Sequence, residues 1–406
     1  MSSLKVYICP FDLSGSYTSY EDVTEYVVKS SISDIKKEID GTDYDIGVVK
    51  IGTLSISMSN TTGKFSDVSE FGSMFNYKRS DSLIKIIYDP NDYQNQCGDV
   101  ICGTTVLTDT TTIFEGMIND SATTQNIGNS TISFRCFSYD YLFKRIEVPF
   151  SSISVGNYLS DIFLLILDQA PFNTLVTVSA SNINPTLDLQ IDNKDDLENK
   201  VVFDVLDELL MISNSVMFIE DNIVYISGRN ESVTLKYEFY GQASNNGIEN
   251  LEEISEYRNG MNRVFNYCTF KDRANLKINS TSVQVYGILK NEIDSTYITN
   301  STSIDSILQS MINEFSEKKI EMYITAKFNE DLLNLNILDK ISIDYPSIPY
   351  TSEGTDLPVF GSAIFGNSIF PYQESSIVIS NLTYFKITSF SYNLKTERIK
   401  IGIREV

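Results

Sequence analysis

The sequence contains neither histidine nor tryptophan among its 406 residues. Without histidine, the chain cannot use Ser-His or Cys-His nucleophilic catalysis, an imidazole proton relay, or the histidine ligands of a catalytic zinc site. Proline is also scarce, with nine residues, whereas tyrosine and phenylalanine number 24 and 23. That balance favours β-strands over disorder, because aromatic side chains pack well on a pleated surface.

Long apolar runs are missing as well. The longest run, residues 162–167, has six side chains, whereas a helix needs about 20 apolar residues to cross a bilayer. Residues 1–7 carry no apolar stretch of the kind found in secretory signals. We therefore expect no stable membrane insertion and no signal peptide.

Cysteine is infrequent and scattered through the chain. A metal site around Cys97 and Cys102 would need two further soft ligands nearby, and none is present. We expect reduced cysteines and no bound metal. The five cysteines are Cys9, Cys97, Cys102, Cys136 and Cys268.

Basic residues are outnumbered, with 31 Lys and Arg against 54 Asp and Glu, so the net charge is -23. A surface with this balance is unsuited to gripping a phosphate backbone. The apolar fraction of 42% is typical of globular proteins. At roughly 150 residues per domain, the length predicts about two to four domains.

Most of the sequence has the pattern of half-buried β-strands. Apolar and polar residues alternate in residues 54–59, which predicts one buried and one solvated face. Turn-rich stretches between the strands favour a barrel or a sandwich. The other predicted strands lie at 83–88, 112–118, 130–137, 261–270, 282–288, 318–328, 337–344, 383–390 and 398–403.

Three segments instead carry an apolar stripe at helical spacing, namely residues 159–167, 202–212 and 304–315. Ser154 and Ser303 are the predicted N-caps of the first and third helices. We interpret the stripes as core packing rather than as cofactor faces. A hairpin, with strands at 216–219 and 223–226, follows the second helix.

The order of these elements predicts a mainly β protein with a smaller α/β module. We divide the chain into a β domain at 1–148, an α/β domain at 149–240, and a second β domain at 241–406. The last of these contains a predicted helix at 303–318 and a long loop at 345–376.

Two predicted loops, 89–112 and 345–376, are unusually long. Loops above about 15 residues are uncommon in compact domains unless they are functional. Aromatic side chains on the second loop predict contact with a partner, although folding back onto its own domain is the equal alternative. These aromatic residues are Tyr350, Phe360, Phe365, Phe370 and Tyr372.

One string is more specific than the rest of the sequence. Residues 54–66 contain an alternating strand that ends at Asn60 and continues through Gly63 and Phe65. This order resembles the L-x-N-x-x-G-x-F-S signature of minor tail and hub proteins of tailed phages. In that family an F-x-G-x-I strand follows, which corresponds to Phe114 and Gly116 in this sequence.

The resemblance continues through the second half of the chain. After two helices and a hairpin the family has N-x-V, here beginning at Asn262, and then an L-x-x-x-D-x-V-x-I strand, here containing Asp339. Two departures stand out. Ser82 replaces a glycine of the usual pattern, and both long loops are short in the family.

The resemblance implies a trimeric baseplate-hub or tail-tip protein of tailed phages and related contractile injection systems. Two tail-tube-like β-barrel domains would flank a helix-helix-hairpin domain, so a homotrimer would supply six barrels and close the tail tube. Tail tube or distal tail proteins would lie above it, spike, fibre or tip proteins below it, and a tape-measure protein in its lumen. DNA would pass without specific binding. The protein would reside in the virion tail after assembly in the host bacterial cytoplasm.

Two other functions remain open from the residues. Paired carboxylates could serve a tail-associated cell-wall hydrolase, and the abundance of Tyr, Asn and Ser suits a receptor-binding tail protein. However, no acidic pair lies in a recognisable catalytic context, and no phosphate-binding glycine loop is present. We therefore predict no catalytic, cofactor-binding or metal residues, and a structural protein rather than an enzyme.

Overall fold

The computed structural model describes residues 4–11, 16–38, 52–66, 74–75, 78–89, 110–229, 234–241, 249–258, 260–345 and 383–406. Within these ranges the protein is mainly β, with two curled half-barrel sheets. The predicted fold class is confirmed. In the described part of the chain, no helix is long and apolar enough to span a membrane.

The secondary structure elements are numbered in chain order. The strands are β1 (Leu4–Phe11), β2 (Glu21–Asp22), β3 (Ile35–Glu38), β4 (Thr53–Ser59), β5 (Lys78–Tyr88), β6 (Thr111–Asn126), β7 (Thr131–Ser138), β8 (Ile183–Asn184), β9 (Ser215–Glu220), β10 (Ile223–Gly228), β11 (Leu235–Tyr240), β12 (Glu253–Arg258), β13 (Tyr267–Phe270), β14 (Leu276–Ile278), β15 (Lys290–Ile293), β16 (Glu321–Lys327), β17 (Lys340–Asp344), β18 (Tyr384–Asn393) and β19 (Arg398–Glu405). The α-helices are α1 (Leu159–Leu167), α2 (Val202–Ile212), α3 (Ser280–Tyr286), α4 (Ser301–Phe315) and α5 (Glu330–Leu333).

The first large sheet has the strand order β2-β1-β5-β6-β7-β4, and all its neighbouring strands are antiparallel. One face of this sheet is buried in a core, and at β4 the other face is solvated. On β4, for example, Leu54, Ile56 and Met58 are buried, whereas Ser55 and Ser57 lie on the other face. The alternation predicted for residues 54–59 is therefore present.

The second large sheet has the order β11-β17-β18-β19-β16-β12, and β3 also pairs with β18. On β19 the side chains of Ile399, Ile401 and Ile403 are buried. Because β3 comes from the N-terminal part of the chain, this sheet is built from two distant stretches of sequence.

Residues 27–38 connect the two large sheets. The backbone N–H groups of Val28 and Ser33 donate to the carbonyls of Ser57 and Ser55 at 2.9 Å, so this segment first covers the open edge of β4. It then continues into β3, where Ile35 lies opposite Tyr392 of β18. One short stretch of chain thereby holds both sheets.

The two large sheets share one hydrophobic core. Leu54 and Phe134 of the first sheet belong to the same buried cluster as Ile343 and Ile401 of the second. Since burial of a large apolar side chain contributes about 1.5–3 kcal/mol, this shared cluster holds the two sheets together. The described cysteines Cys9, Cys136 and Cys268 are buried and free.

A second hydrophobic core is formed around helices α1, α2 and α4. Each predicted apolar stripe is buried there, and the β9–β10 hairpin packs on the same cluster. The helix that we assigned to the C-terminal β domain, 303–318, is α4, and its buried face belongs to this helical core. The domain boundaries at 148 and 240 stay a prediction.

Residues 282–288 do not form the predicted strand. They lie in and just after α3, because the Asn279 side chain accepts the Ser282 N–H at 3.1 Å and caps the helix. Gly287, with φ of 75°, ends it. Alternating valines at 283 and 285 suggested a strand, but the local cap decides the structure.

Two predicted helix caps are also wrong. α1 begins after Tyr158 rather than at Ser154. α4 begins after Asn300, whose side-chain oxygen accepts the N–H groups of Thr302 at 2.9 Å and Ser303 at 3.2 Å. Ser303 therefore donates its backbone N–H to the cap and is not itself the cap.

Buried charges join the helical core to the second large sheet. Arg404, with 6% exposure, lies 3.6 Å from Glu314 of α4 and 3.7 Å from Glu321 of β16. Its guanidinium also lies 4.8 Å from the Phe315 ring centre. Removing one partner from such a buried pair is destabilising, because the remaining charge is left in a medium of low polarity.

Replacing Ile35 tests whether β3 contributes to the shared core. Ile35 is fully buried, so we expect Ile35→Ala to lower the free energy of unfolding by about 2–5 kcal/mol. Ile127, at 86% exposure, provides the control, since Ile127→Ala should change it by less than about 0.5 kcal/mol. If the two variants lost the same free energy of unfolding in chemical denaturation, the burial of Ile35 would not be what holds β3 on the core.

Candidate functional site

Asn60, Gly63 and Phe65 form a tight turn at the end of β4. The Asn60 side chain accepts the Phe65 N–H at 2.9 Å and donates to the Ser66 hydroxyl at 2.9 Å. Gly63 has φ of 72°, a region that favours glycine. Phe65 is fully buried, with its ring edge-on to those of Tyr26 and Phe134. These motif residues therefore build the turn and fill the core.

Phe114 and Gly116 lie on β6, in the middle of the first large sheet. Phe114 is buried in the shared core. A Cβ atom at Gly116 would lie 2.2 Å from the Phe137 carbonyl oxygen, so only glycine fits here without moving the backbone. At the position where the family usually has glycine, the Ser82 hydroxyl accepts the Phe11 N–H at 3.2 Å.

Asn262 and Asn266 lie in very different environments. Asn262, the predicted motif residue, is exposed. Asn266 is fully buried. Its amide donates to Ser282 at 3.1 Å and to the Gly287 carbonyl at 2.8 Å, and its side-chain oxygen accepts the Leu289 N–H at 2.9 Å. The residue that organises this region is therefore one that the sequence reasoning missed.

Asp339 closes the turn before β17. Its carboxylate accepts the Asn336 N–H at 2.8 Å, and its carbonyl accepts the Ile387 N–H at 3.1 Å. Burial raises the pKa of this carboxyl. The predicted partner-contact residues Tyr350, Phe360, Phe365, Phe370 and Tyr372 lie outside the described residues, as do most of the loops 89–112 and 345–376.

A cavity of about 120 Å³ lies where the two large sheets meet the β9–β10 hairpin. On its wall, the Lys37 ammonium lies 5.7 Å from the Tyr392 ring centre. Burial lowers the pKa of Lys37, and the nearby Glu220 and Asp221 oppose that shift. Glu220 accepts a hydrogen bond from the Asn336 amide at 2.6 Å. Lys37 is thus held by an aromatic ring and Glu220 by a hydrogen bond, which indicates a structural role for both.

Asp140 is a buried carboxylate on the same cavity wall. It accepts a hydrogen bond from the Ser138 hydroxyl, which itself accepts the Gly52 N–H at 2.7 Å. Burial raises the pKa of Asp140 to about 7, although these hydrogen bonds and Lys144 act in the opposite direction. Asp140 thus orients the Ser138 hydroxyl, and the bond of Ser138 to Gly52 holds the start of β4 against the end of β7.

The described ranges contain no group of three or more Cys, Asp and Glu side chains that could hold a metal ion. Glu115 illustrates how the acids are used. Its carboxylate accepts hydrogen bonds from Tyr20 at 2.8 Å and Tyr139 at 3.0 Å, and it lies 3.4 Å from Lys85. This carboxylate is engaged by three neighbours in the sheet.

The solvated face of β4 and β7 is lined with small hydroxyl groups. Ser57 and Ser133 lie opposite each other with their oxygens 2.6 Å apart. Ser59 faces Thr131 in the same way, and Ser55 faces Arg135. Along the pairing of β4 with β7, this face therefore presents hydroxyl groups and one exposed basic side chain, Arg135.

Three solved structures share this fold over nearly the whole chain. The tail protein from Neisseria meningitidis is 9% identical, with a TM-score of 0.57, 99% of this chain covered and 96% of that chain. The 43 kDa tail protein of prophage MuSo2 from Shewanella oneidensis is 10% identical, with a TM-score of 0.53 and coverages of 99% and 97%. A prophage tail protein from Listeria monocytogenes is 10% identical, with a TM-score of 0.52 and coverages of 98% and 94%.

The protein thus has the fold of phage tail proteins, and the likeness predicted from the order of its motifs is confirmed at the level of fold. No protein-family model matches the sequence, and no curated protein matches it. The solved structures are only about 10% identical to this chain, so the likeness to them lies in the fold.

Replacing Asn262 and Asn266 one at a time tests which of the two stabilises this region. We expect Asn266→Ala to lower the free energy of unfolding by about 1–3 kcal/mol, because it leaves buried backbone groups without partners. Asn262→Ala, four positions away on the surface, should change it by less than about 0.5 kcal/mol. A larger loss of stability for Asn262→Ala than for Asn266→Ala, measured by urea denaturation, would show that Asn262 stabilises this region instead.

Asp140 should make stability depend on pH. Its carboxyl pKa rises from 3.8 to about 7 on folding, so the folded protein retains this proton where the unfolded chain has lost it. Stability is then lost as pH rises through this range. Residue 140 cannot ionise in the Asp140→Asn variant. Between about pH 4 and 7 we therefore expect the free energy of unfolding to fall less in the variant than in the unmodified protein, and the two falls should differ by at most about 4 kcal/mol. Parallel curves for the two proteins would contradict this expectation.

Proposed function

We propose that this protein is a structural component of a phage-type tail and acts by assembly rather than by catalysis. The observation that carries the proposal is the match in fold to three tail proteins, each over at least 94% of its own length. A match of that extent leaves little of the described chain for a separate catalytic domain. The second core is also filled by the apolar stripes of its helices.

The assembly that fits this architecture best is a homotrimeric hub that closes the tail tube. Each chain has two curled half-barrel sheets, so three chains supply six. A ring of three chains could therefore meet a six-fold tube on one side and a three-fold tip on the other. Two large sheets joined in one chain by a shared core support this proposal.

The hub would form part of the channel through which DNA leaves the virion. The net charge of -23 disfavours retention of a phosphate backbone. Among the paired residues on the hydroxyl face of β4 and β7, Arg135 is the one basic side chain, so this face would suit a channel wall because it offers DNA few cations to bind. DNA would then pass without specific binding.

Partners follow from that position in the virion tail. Tail tube or distal tail proteins would contact one face, and spike, fibre or tip proteins the other, with a tape-measure protein in the lumen before ejection. The aromatic residues of 345–376 remain our proposal for one of these contacts. Assembly would take place in the host bacterial cytoplasm.

The mass and symmetry of the purified chain test the proposal. We expect native mass spectrometry to give three times the chain mass of 45.8 kDa. Averaged negative-stain images should show a three-fold ring with an axial hole. A species that stays monomeric at every concentration, or one that degrades peptidoglycan, would contradict the hub.

A further inference from the structure

The outer face of the second large sheet carries a cluster of basic side chains. In the first half of β19, Ile399 and Ile401 are buried, so Arg398 and Lys400, which alternate with them, project from the opposite face. Lys327 of β16 lies directly across from Arg398. We refer to Lys327, Arg398 and Lys400 as the basic stripe, and their side chains are 76%, 45% and 38% exposed.

The basic stripe has the chemistry of a surface that binds nucleic acid. The Lys400 ammonium lies 4.4 Å from the ring centre of Tyr323, which is on the same face. Lys36 of β3 lies two strands away in the same row, opposite Ser391, which in turn faces Lys400. Cations interleaved with an aromatic ring are typical of surfaces that hold a phosphate backbone.

Two carboxylates pair with the three cations of this stripe. Glu252 lies 2.5 Å from the Arg398 Nε atom and 3.7 Å from the Lys327 ammonium. Glu256 lies 2.5 Å from the Lys400 ammonium. The hydrogen bonds from Arg398 and Lys400 lower the pKa of Glu252 and of Glu256, respectively, so both carboxyls stay ionised at neutral pH.

The backbone of β12 is shaped to place the second carboxylate. The register between β12 and β16 shifts between Ser255 and Arg258, and Glu256 has φ of 53°. A left-handed conformation is uncommon for a residue other than glycine, and a bulge on an edge strand redirects the side chain that it carries. Here it allows Glu256 to reach past Tyr323 to Lys400 on the second strand over.

We propose that Glu252 and Glu256 mask the basic stripe, so that the outer face of the second sheet does not bind the phosphates of DNA. The purpose of the mask rests on the proposed function, in which DNA passes close to the protein. The mask itself is a local property, because at about 0.1 M salt charges more than about 10 Å away are largely screened. The two carboxylates in contact therefore decide the affinity of the stripe.

The experiment measures binding of a short fluorescein-labelled DNA duplex to the full-length chain by fluorescence anisotropy at about 0.1 M salt. We expect the Glu252→Gln/Glu256→Gln variant to bind about tenfold or more tightly than the unmodified chain, with an affinity that falls as salt rises. Adding Arg398→Gln and Lys400→Gln to this variant should return the affinity to its original value.

A matched control separates the mask from total charge. Glu198→Gln/Glu292→Gln removes two exposed carboxylates on other elements, and it should leave DNA binding unchanged. The proposal would be overturned if Glu252→Gln/Glu256→Gln bound DNA no more tightly than the unmodified chain. It would also be overturned if the two double variants gained the same affinity for DNA. If Glu252→Gln/Glu256→Gln aggregated without binding DNA, the proposal would also fail, and the role of Glu252 and Glu256 would instead be to protect the sheet edge from aggregation. None of these results depends on whether the chain forms a trimer, so the hub is judged separately.

Discussion

The apolar core shared by the two large sheets is the constraint on which the rest of the structure depends. Each sheet uses one face for this burial, and its other face is left to polar residues, helices or partners. The same requirement explains β3, whose buried Ile35 joins the core while its backbone extends the second sheet. Two half-barrels in one chain are held together here by packing, and their relative position follows from that packing.

Local patterns in the sequence were enough to locate much of this fold. The alternation in β4 and the stripes of α1, α2 and α4 predicted these elements, because burial on one face imposes a fixed period. The same reasoning failed at α3, where a side-chain cap from Asn279 outweighs a short alternating pattern. The pairing of β3 with β18 could not be predicted from the sequence, because residues so distant along the chain carry no local signal of contact.

In the candidate site, too, the sequence predicts local features but not long-range contacts. Asn60, Gly63 and Phe65 were recognised from their order, and the structure explains that order as one turn with a buried aromatic anchor. The N-x-V pattern selected Asn262 and gave no reason to single out Asn266, whose burial and hydrogen bonds are visible only in the structure. The ion pairs of Glu252 and Glu256 likewise depend on strand neighbours and on a bulge, neither of which has a local sequence signature.

Cys9, Leu83 and Met117 project from the first large sheet into the helical core, away from the core that the two sheets share. Their strands, β1, β5 and β6, are neighbours in that sheet. A curved sheet that is gripped on one face alone can flatten as its strands slide past one another. Here flattening would also have to withdraw three side chains from between the helices. The first half-barrel is thus held by side-chain packing on both faces, which opposes any change in its curvature.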